Sequence, residues 1–183
     1  RREALAAALR ADPAVGVGVA AVEVERIDDP TTDMNGLTVA AQAEALADLA
    51  ADAGVERSPL GRAVVDAGDV NESRFARRVA EAAVDLGVEV SVRAEHGADA
   101  SHPIVGAASV VAKVERDRRV AAIGEAYAHV GDVGSGYPSD PTTRAFLREY
   151  VSEYGEVPPC ARASWQTCAD VLAAAAQSSL EEF

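Results

Sequence analysis

Valine-rich segments alternate with helical periodicities in the first half of the chain, and helices alone follow in the second. This order predicts an α/β fold, a sheet flanked by helices with a C-terminal helical extension. Two further observations support it. The chain has 183 residues, the size of one domain, and 49% of them are hydrophobic, enough to build a core. No repeat, linker or low-complexity stretch divides it.

The first element expected is a helix over 1–10, stopped at Asp12-Pro13 because the residue before a proline avoids the α region. Val15 to Val24 mixes valine with small residues and reads as a strand, which Asp28-Asp29-Pro30 breaks. From Leu37 to Ala53 the positions Val39, Ala43, Leu46, Ala50 and Ala53 step by four and three, one face of a helix closed by Gly54. Arg62 to Val65 is a short apolar strand ending on Asp66. After Asn71, a residue suited to an N-cap, Phe75, Val79, Ala82 and Leu86 mark a second helix face. Val88, Val90 and Val92 alternate with polar residues, as in a strand with one wet face. A long helix is expected over 104–127. Another opens at Asp140-Pro141 and closes at Gly155, with proline at its first position. An alanine-rich helix over 164–177 ends the chain.

Charge restricts the function classes less than it first suggests. There are 17 basic residues against 30 acidic ones, a net charge of −13. Taken literally this argues against nucleic acid, which selects basic surfaces. The acids are spread along the chain, however, and Lys113 is the only lysine among the 17 basic residues. A diffuse acidic excess of this kind describes a surface kept hydrated in concentrated salt, where screening over a few ångströms changes what charge means for a partner. Folding and activity are then expected to rise with molar salt. No apolar run approaches the ~20 residues of a membrane span, and no signal-peptide pattern opens the sequence. Cys160 and Cys168 are too few for a disulfide framework and fit a reduced cytoplasmic setting.

Four clusters could carry chemistry. Asp66 stands at the carboxyl end of a strand, where open α/β sheets place ligands, although such an aspartate also simply caps turns. Asp99, between a strand and a helix, can serve as a helix N-terminal acid; with Asp66 it could share a divalent cation, since Mg²⁺ takes hard oxygen ligands. His96, His102 and His129 have no metal-ligand spacing. Ser109, Lys113 and Arg116 step by four and three along one helix, so a hydroxyl, an ammonium and a guanidinium could meet a phosphodiester together. Tyr137 sits in Gly134-Ser135-Gly136-Tyr137-Pro138-Ser139-Asp140-Pro141, a rigid loop that can offer its ring for stacking on a sugar or base.

Taken together, Ala98-Asp99, the run from Ala107 through Ser109, Lys113 and Arg116 to Arg118, the Gly134–Pro141 loop and Ser164-Trp165-Gln166-Thr167 resemble ribonuclease HII, most closely its archaeal members. Asp66-Ala67-Gly68-Asp69-Val70 and Met34-Asn35-Gly36-Leu37-Thr38 resemble two upstream segments of that family. The resemblance implies an RNase H-like mixed sheet, cleavage of the RNA strand of RNA–DNA hybrids, and nicking 5′ to ribonucleotides embedded in DNA. It also implies Mg²⁺ or Mn²⁺ held by four carboxylates, of which Asp66 matches the third and Asp99 the fourth. Tyr137 matches the tyrosine that senses the junction beside the 2′-OH, and Ser109, Lys113 and Arg116 fall in the helix expected at the phosphate backbone. The family's opening strand with adjacent Asp and Glu, and its Gly-Arg-Gly motif, have no counterpart here. The expectation is an N-terminally truncated single domain over 1–183, inactive or nearly so by itself and monomeric when complete.

At the other end, Gln177-Ser178-Ser179-Leu180-Glu181-Glu182-Phe183 resembles the box with which replication and repair enzymes dock on the archaeal sliding clamp. Gln177 would fill a polar pocket, and Leu180 and Phe183 an apolar one. The competing expectation is a non-catalytic remnant of the same fold that binds nucleic acid or the clamp.

Overall fold

A computed structural model describes residues 1–52 and 60–181. Helix α1 (Arg2–Ala11) ends at Asp12, as the proline boundary requires. The expected strand over 15–24 is not formed: 15–23 has no regular structure, and Val24 opens a short helix, α2 (Val24–Asp28). A strand needs a ladder partner, and this backbone lies against a helix instead, α3 (Met34–Asp52). A Cβ on Gly18 would come within 2.2 Å of the Ala45 carbonyl oxygen, and the Val19 N–H donates to the Asp48 carboxylate at 2.8 Å. The two glycines, Gly16 and Gly18, mark a close backbone approach rather than a β ladder.

Asp33 accepts the Gly36 N–H at 2.8 Å at the start of α3, and Val39, Ala43 and Ala50 are buried on the face expected of them. The rest of that expectation, Ala53 and Gly54, lies outside the described residues. Strands β1 (Arg62–Asp66) and β2 (Ser91–Glu95) pair in parallel, with Asp66 opposite Glu95. Parallel neighbours require a crossover, and α4 (Glu72–Asp85) supplies it. Asn71 caps α4, accepting the Arg74 N–H at 2.8 Å, and Phe75 and Val79 are fully buried.

Two details of this βαβ unit differ from expectation. Ala83 fills the core, whereas Leu86 is 49% exposed. The helix stops at Asp85, Gly87 turns the chain at φ 83°, and the Val88 N–H returns to the Ala83 carbonyl at 2.9 Å. Val88 thereby enters the core as a turn residue, and β2 starts only at Ser91. Short helix α5 (Ala98–Ser101) follows β2, and the long α6 (Pro103–Ala126) follows His102.

The chain divides into two units, Arg1–Glu23 with Pro30–Val114, and Val24–Asp29 with Glu115–Phe183. The first has a core around Val39, Phe75, Val79 and Ala94 that continues to Ala43, Ala50, Ala83 and Val88. The second is helical, with α7 (Pro141–Tyr154), α8 (Gln166–Glu181) and a core of Val133, Phe146, Leu147, Tyr150, Val151, Cys168 and Val171. Asp140 caps α7 and Gly155, at φ 75°, ends it, both as the sequence indicates. Asp28 of α2 accepts the Ala163 N–H at 2.6 Å and the Ser164 hydroxyl. Burial acts to raise its pKa, but these hydrogen bonds and Arg162 prevail and hold it below the ordinary carboxylate range. Cys160 and Cys168 are unbridged, their thiols pushed up by burial, and Cys168 is part of the core of the second unit.

Phe75 is the largest side chain in the first core with no exposure. Phe75→Ala is expected to destabilise the first unit by about 3–5 kcal/mol in urea unfolding, with far less effect on near-ultraviolet signals from the aromatic core of the second.

Candidate active site

The strand end carrying Asp66 is shaped by three side chains. Asp66 Oδ1 accepts the backbone N–H of Gly97 at 2.9 Å and that of Ala98 at 3.4 Å, so the β1 terminus is fastened to the first turn of α5. Gln42 of α3 donates to the Asp66 carbonyl at 3.2 Å. Asp69, three residues on, is 5% exposed and takes Arg74 through both carboxylate oxygens at 2.6 and 2.7 Å, as well as the Asn71 N–H. The Arg74 guanidinium holds the Asp69 carboxyl below its usual range. In the sequence Asp69 stands only as part of a motif; the acid–arginine spacing of five across an N-cap is the signal that marks it.

Asp99 lies on α5, next to the Ala98 whose N–H faces Asp66. Both carboxylates are exposed. Among the described residues Asp66 Oδ2 and both oxygens of Asp99 accept no hydrogen bond. These are hard oxygen donors on adjoining backbone, and they fit a divalent cation of the Mg²⁺ or Mn²⁺ kind as part of its ligand set. Among the described residues no group of three or more His, Cys, Asp or Glu side chains comes together as a metal site.

Across the strand register from Asp66, Glu95 meets His102 Nε2 at 3.0 Å and forms an ion pair with Arg93. The His102 hydrogen bond first, and Arg93 in addition, hold the Glu95 carboxyl below its ordinary value. His102 ends α5, so this contact ties the end of β2 to the turn between α5 and α6.

Of the expected phosphate-facing residues, Ser109 and Lys113 are brought together: Lys113 Nζ donates to Ser109 Oγ at 2.9 Å. Arg116 is engaged elsewhere. Its Nη2 donates to the Ser135 carbonyl at 2.6 Å, and its guanidinium stacks over the Tyr137 ring at 4.0 Å. Farther along α6, Arg118 and Arg119 bind Glu115, which Arg118 first and Arg119 in addition hold down at about 2.

The Tyr137 loop is tightly built. Gly134 and Gly136 have φ of 68° and 73°, and a Cβ on Gly134 would stand 2.7 Å from Asp140 Oδ2 and 2.9 Å from the Thr143 nitrogen. Asp140 accepts the N–H of Ser135 and of Thr142; Thr143, 5% exposed, accepts the Gly136 N–H and donates to the Val133 carbonyl at 2.9 Å. Arg144 donates to the Pro138 carbonyl at 2.8 Å. Tyr137 is left 55% exposed at the tip. Gln177 is exposed on α8, while the Leu180 side chain and Phe183 lie outside the described residues.

The family model for ribonuclease HII matches residues 1–168. The chain belongs to the ribonuclease HII family. A ribonuclease HII of Halobacterium salinarum is 59% identical over 168 residues, covering 91% of this chain and 73% of that protein. Among solved structures, ribonuclease H2 from Pyrococcus horikoshii OT3 superposes with a TM-score of 0.70 at 36% identity, over 85% of this chain and 68% of the other. The ribonuclease HII in the PCNA complex from Archaeoglobus fulgidus gives 0.60 at 35% identity, over 79% and 64%. The fold is the RNase H-like α/β fold, helix-rich here with a small parallel sheet among the described residues. By family the chain is a ribonuclease H enzyme, an endoribonuclease of RNA–DNA hybrids, and this is favoured over a non-catalytic remnant.

Asp140 is held down at about 2, against an ordinary 3.8, by the Ser135 hydroxyl first and then by the Ser135 and Thr142 N–H groups. A lowered folded-state pKa means that the ionised carboxylate stabilises the fold above the ordinary value, and that this contribution is lost as pH falls through the folded value. Asp140→Ala is therefore expected to lower the thermal midpoint near neutral pH and to flatten its fall between about pH 4 and pH 2, measured by circular dichroism across that range.

Proposed function

We propose that this chain carries half of the metal-holding carboxylates, Asp66 and Asp99, of an enzyme that acts on RNA–DNA hybrids and on DNA with embedded ribonucleotides, nicking 5′ to the ribonucleotide, and that by itself it is inactive or nearly so. The observation that carries the reading is the Asp66 Oδ1 bond to the Gly97 N–H at 2.9 Å, which holds one carboxylate at the turn from which the other projects. When bound there, Mg²⁺ or Mn²⁺ supplies Lewis acidity toward the phosphodiester and the attacking water. The protein's own part is positional. Asp66 and Asp99 offer oxygens on backbone fixed by hydrogen bonds, so little rearrangement precedes binding.

Ser109 and Lys113 present a hydroxyl and an ammonium, the pair that a phosphate oxygen would meet. Tyr137, exposed on its rigid loop, offers a ring to the sugar beside the 2′-OH, the group that separates RNA from DNA. The diffuse acidity of the surface and the Halobacterium relative support work in a salt-rich cytoplasm. The PCNA complex of the Archaeoglobus relative supports a clamp-docking role for Gln177, Leu180 and Phe183, PCNA being a sliding clamp.

Titration of Mn²⁺ into the chain, followed by electron paramagnetic resonance, tests the metal reading. Asp66→Asn and Asp99→Asn are each expected to weaken Mn²⁺ binding at least about tenfold with the thermal midpoint preserved; unchanged binding in both would remove the assignment. For the tail, Leu180→Ala with Phe183→Ala is expected to lower affinity for an archaeal sliding clamp at least about tenfold by surface plasmon resonance.

A further inference from the structure

Arg116 has a task that its sequence position does not disclose. On α6, in a motif suited to phosphate, it spends its hydrogen-bonding fork and its flat face inside the protein. Nη2 donates to the Ser135 carbonyl at 2.6 Å and Nη1 reaches the Asp117 carboxylate at 3.3 Å, while the guanidinium carbon lies 4.0 Å from the centre of the Tyr137 ring. Its side chain is 34% exposed. Opposite it, Gly136 holds the loop on a backbone at φ 73° that side chains avoid, and a Cβ there would stand in ordinary contact with Arg116 Nη2, at 3.4 Å. The far side of the same loop is pinned by Asp140 and Thr143.

We propose that Arg116 is a positioning residue, which sets the plane of the Tyr137 ring so that it is presented ready to stack on the nucleic-acid sugar, and that it acts on the substrate through that ring rather than through a phosphate of its own. The proposal rests on the reading of Tyr137 given above. The chemistry suits arginine alone among cations. A planar guanidinium stacks on an aromatic face and donates sideways at once, whereas an ammonium does one or the other. A ring free to rotate would have to be ordered when substrate binds; one already held loses less freedom on binding.

The test is a double-mutant cycle on binding by the full chain, measured in EDTA so that nothing is cut. Fluorescence anisotropy compares a duplex containing one ribonucleotide with the same duplex of DNA, over potassium chloride concentrations that leave the circular-dichroism spectrum unchanged. Tyr137→Ala is expected to reduce the preference for the ribonucleotide about tenfold, the loss of one stacked ring. Arg116→Gln should reduce it by a smaller factor, and the double variant should be no worse than Tyr137→Ala alone. Arg116→Lys, which keeps the charge, should resemble Arg116→Gln. Additive losses overturn the proposal. So does an Arg116→Gln effect equal on both duplexes, rescued by lysine and accompanied by a salt slope smaller by about one, the mark of a phosphate contact. If Tyr137→Ala keeps the full preference, or the unaltered chain has none, the reading of Tyr137 fails and the proposal with it.

Discussion

The pairing of two five-residue strands in parallel is the constraint on which the first unit depends. Parallel neighbours point their carboxyl ends the same way, and the connection between them must climb back over the sheet. Helix α4 makes that return, and its buried Phe75 and Val79 fill the space between sheet and α3. The consequence for chemistry is direct. Asp66, Glu95, the turn at His96-Gly97 and the helix bearing Asp99 all collect at one edge, where open sheets leave a crevice. A pairing of opposite sense would send the end of β2 away from Asp66.

Polar side chains then fix what the strands bring together. Asp66 spends one oxygen on backbone N–H groups and leaves the other free of them; Asp69, which is buried, is saturated by Arg74 and Asn71. The two carboxylates stand three residues apart, yet one is a strut and the other an offered ligand. The Tyr137 loop repeats the pattern, with Asp140 and Thr143 buried or half-buried as supports and the ring exposed. In both places rigidity comes from hydrogen-bonded side chains under the surface, and reactivity from a group that they leave unused.

Much of this was legible in the sequence because it is local. Asn71, Asp140-Pro141 and Gly155 mark helix ends through bonds spanning a few residues, and the α3 and α4 faces follow from spacing. The failures are mostly tertiary. Val15–Val24 has a strand's composition, but a strand also needs a ladder partner, which the described residues do not supply, and only Gly16 and Gly18 hinted at the close approach to α3. Leu86 fits the helical period and yet falls beyond the helix end, where the period no longer governs. Ser109 and Lys113 meet as their spacing implies, whereas the turning of Arg116 toward Ser135 and Tyr137 depends on a loop folded back from farther along the chain. The charge of −13 was the most misleading quantity, since a sum over the surface says nothing of where Lys113 stands.

The contact between Asp28 and the Ala163-Ser164 turn has a consequence in time. Its partners are 135 and 136 residues apart in sequence, and α2 belongs to the second unit although both its neighbours along the chain belong to the first. As the polypeptide leaves the ribosome, 24–29 must wait for residues beyond Val114, which supply the rest of their unit. Closing so long a loop is an entropic cost met late, and separations of this order slow folding. Vectorial synthesis therefore imposes an order of assembly: α2 is the first piece of the second unit to be made and among the last to find its place.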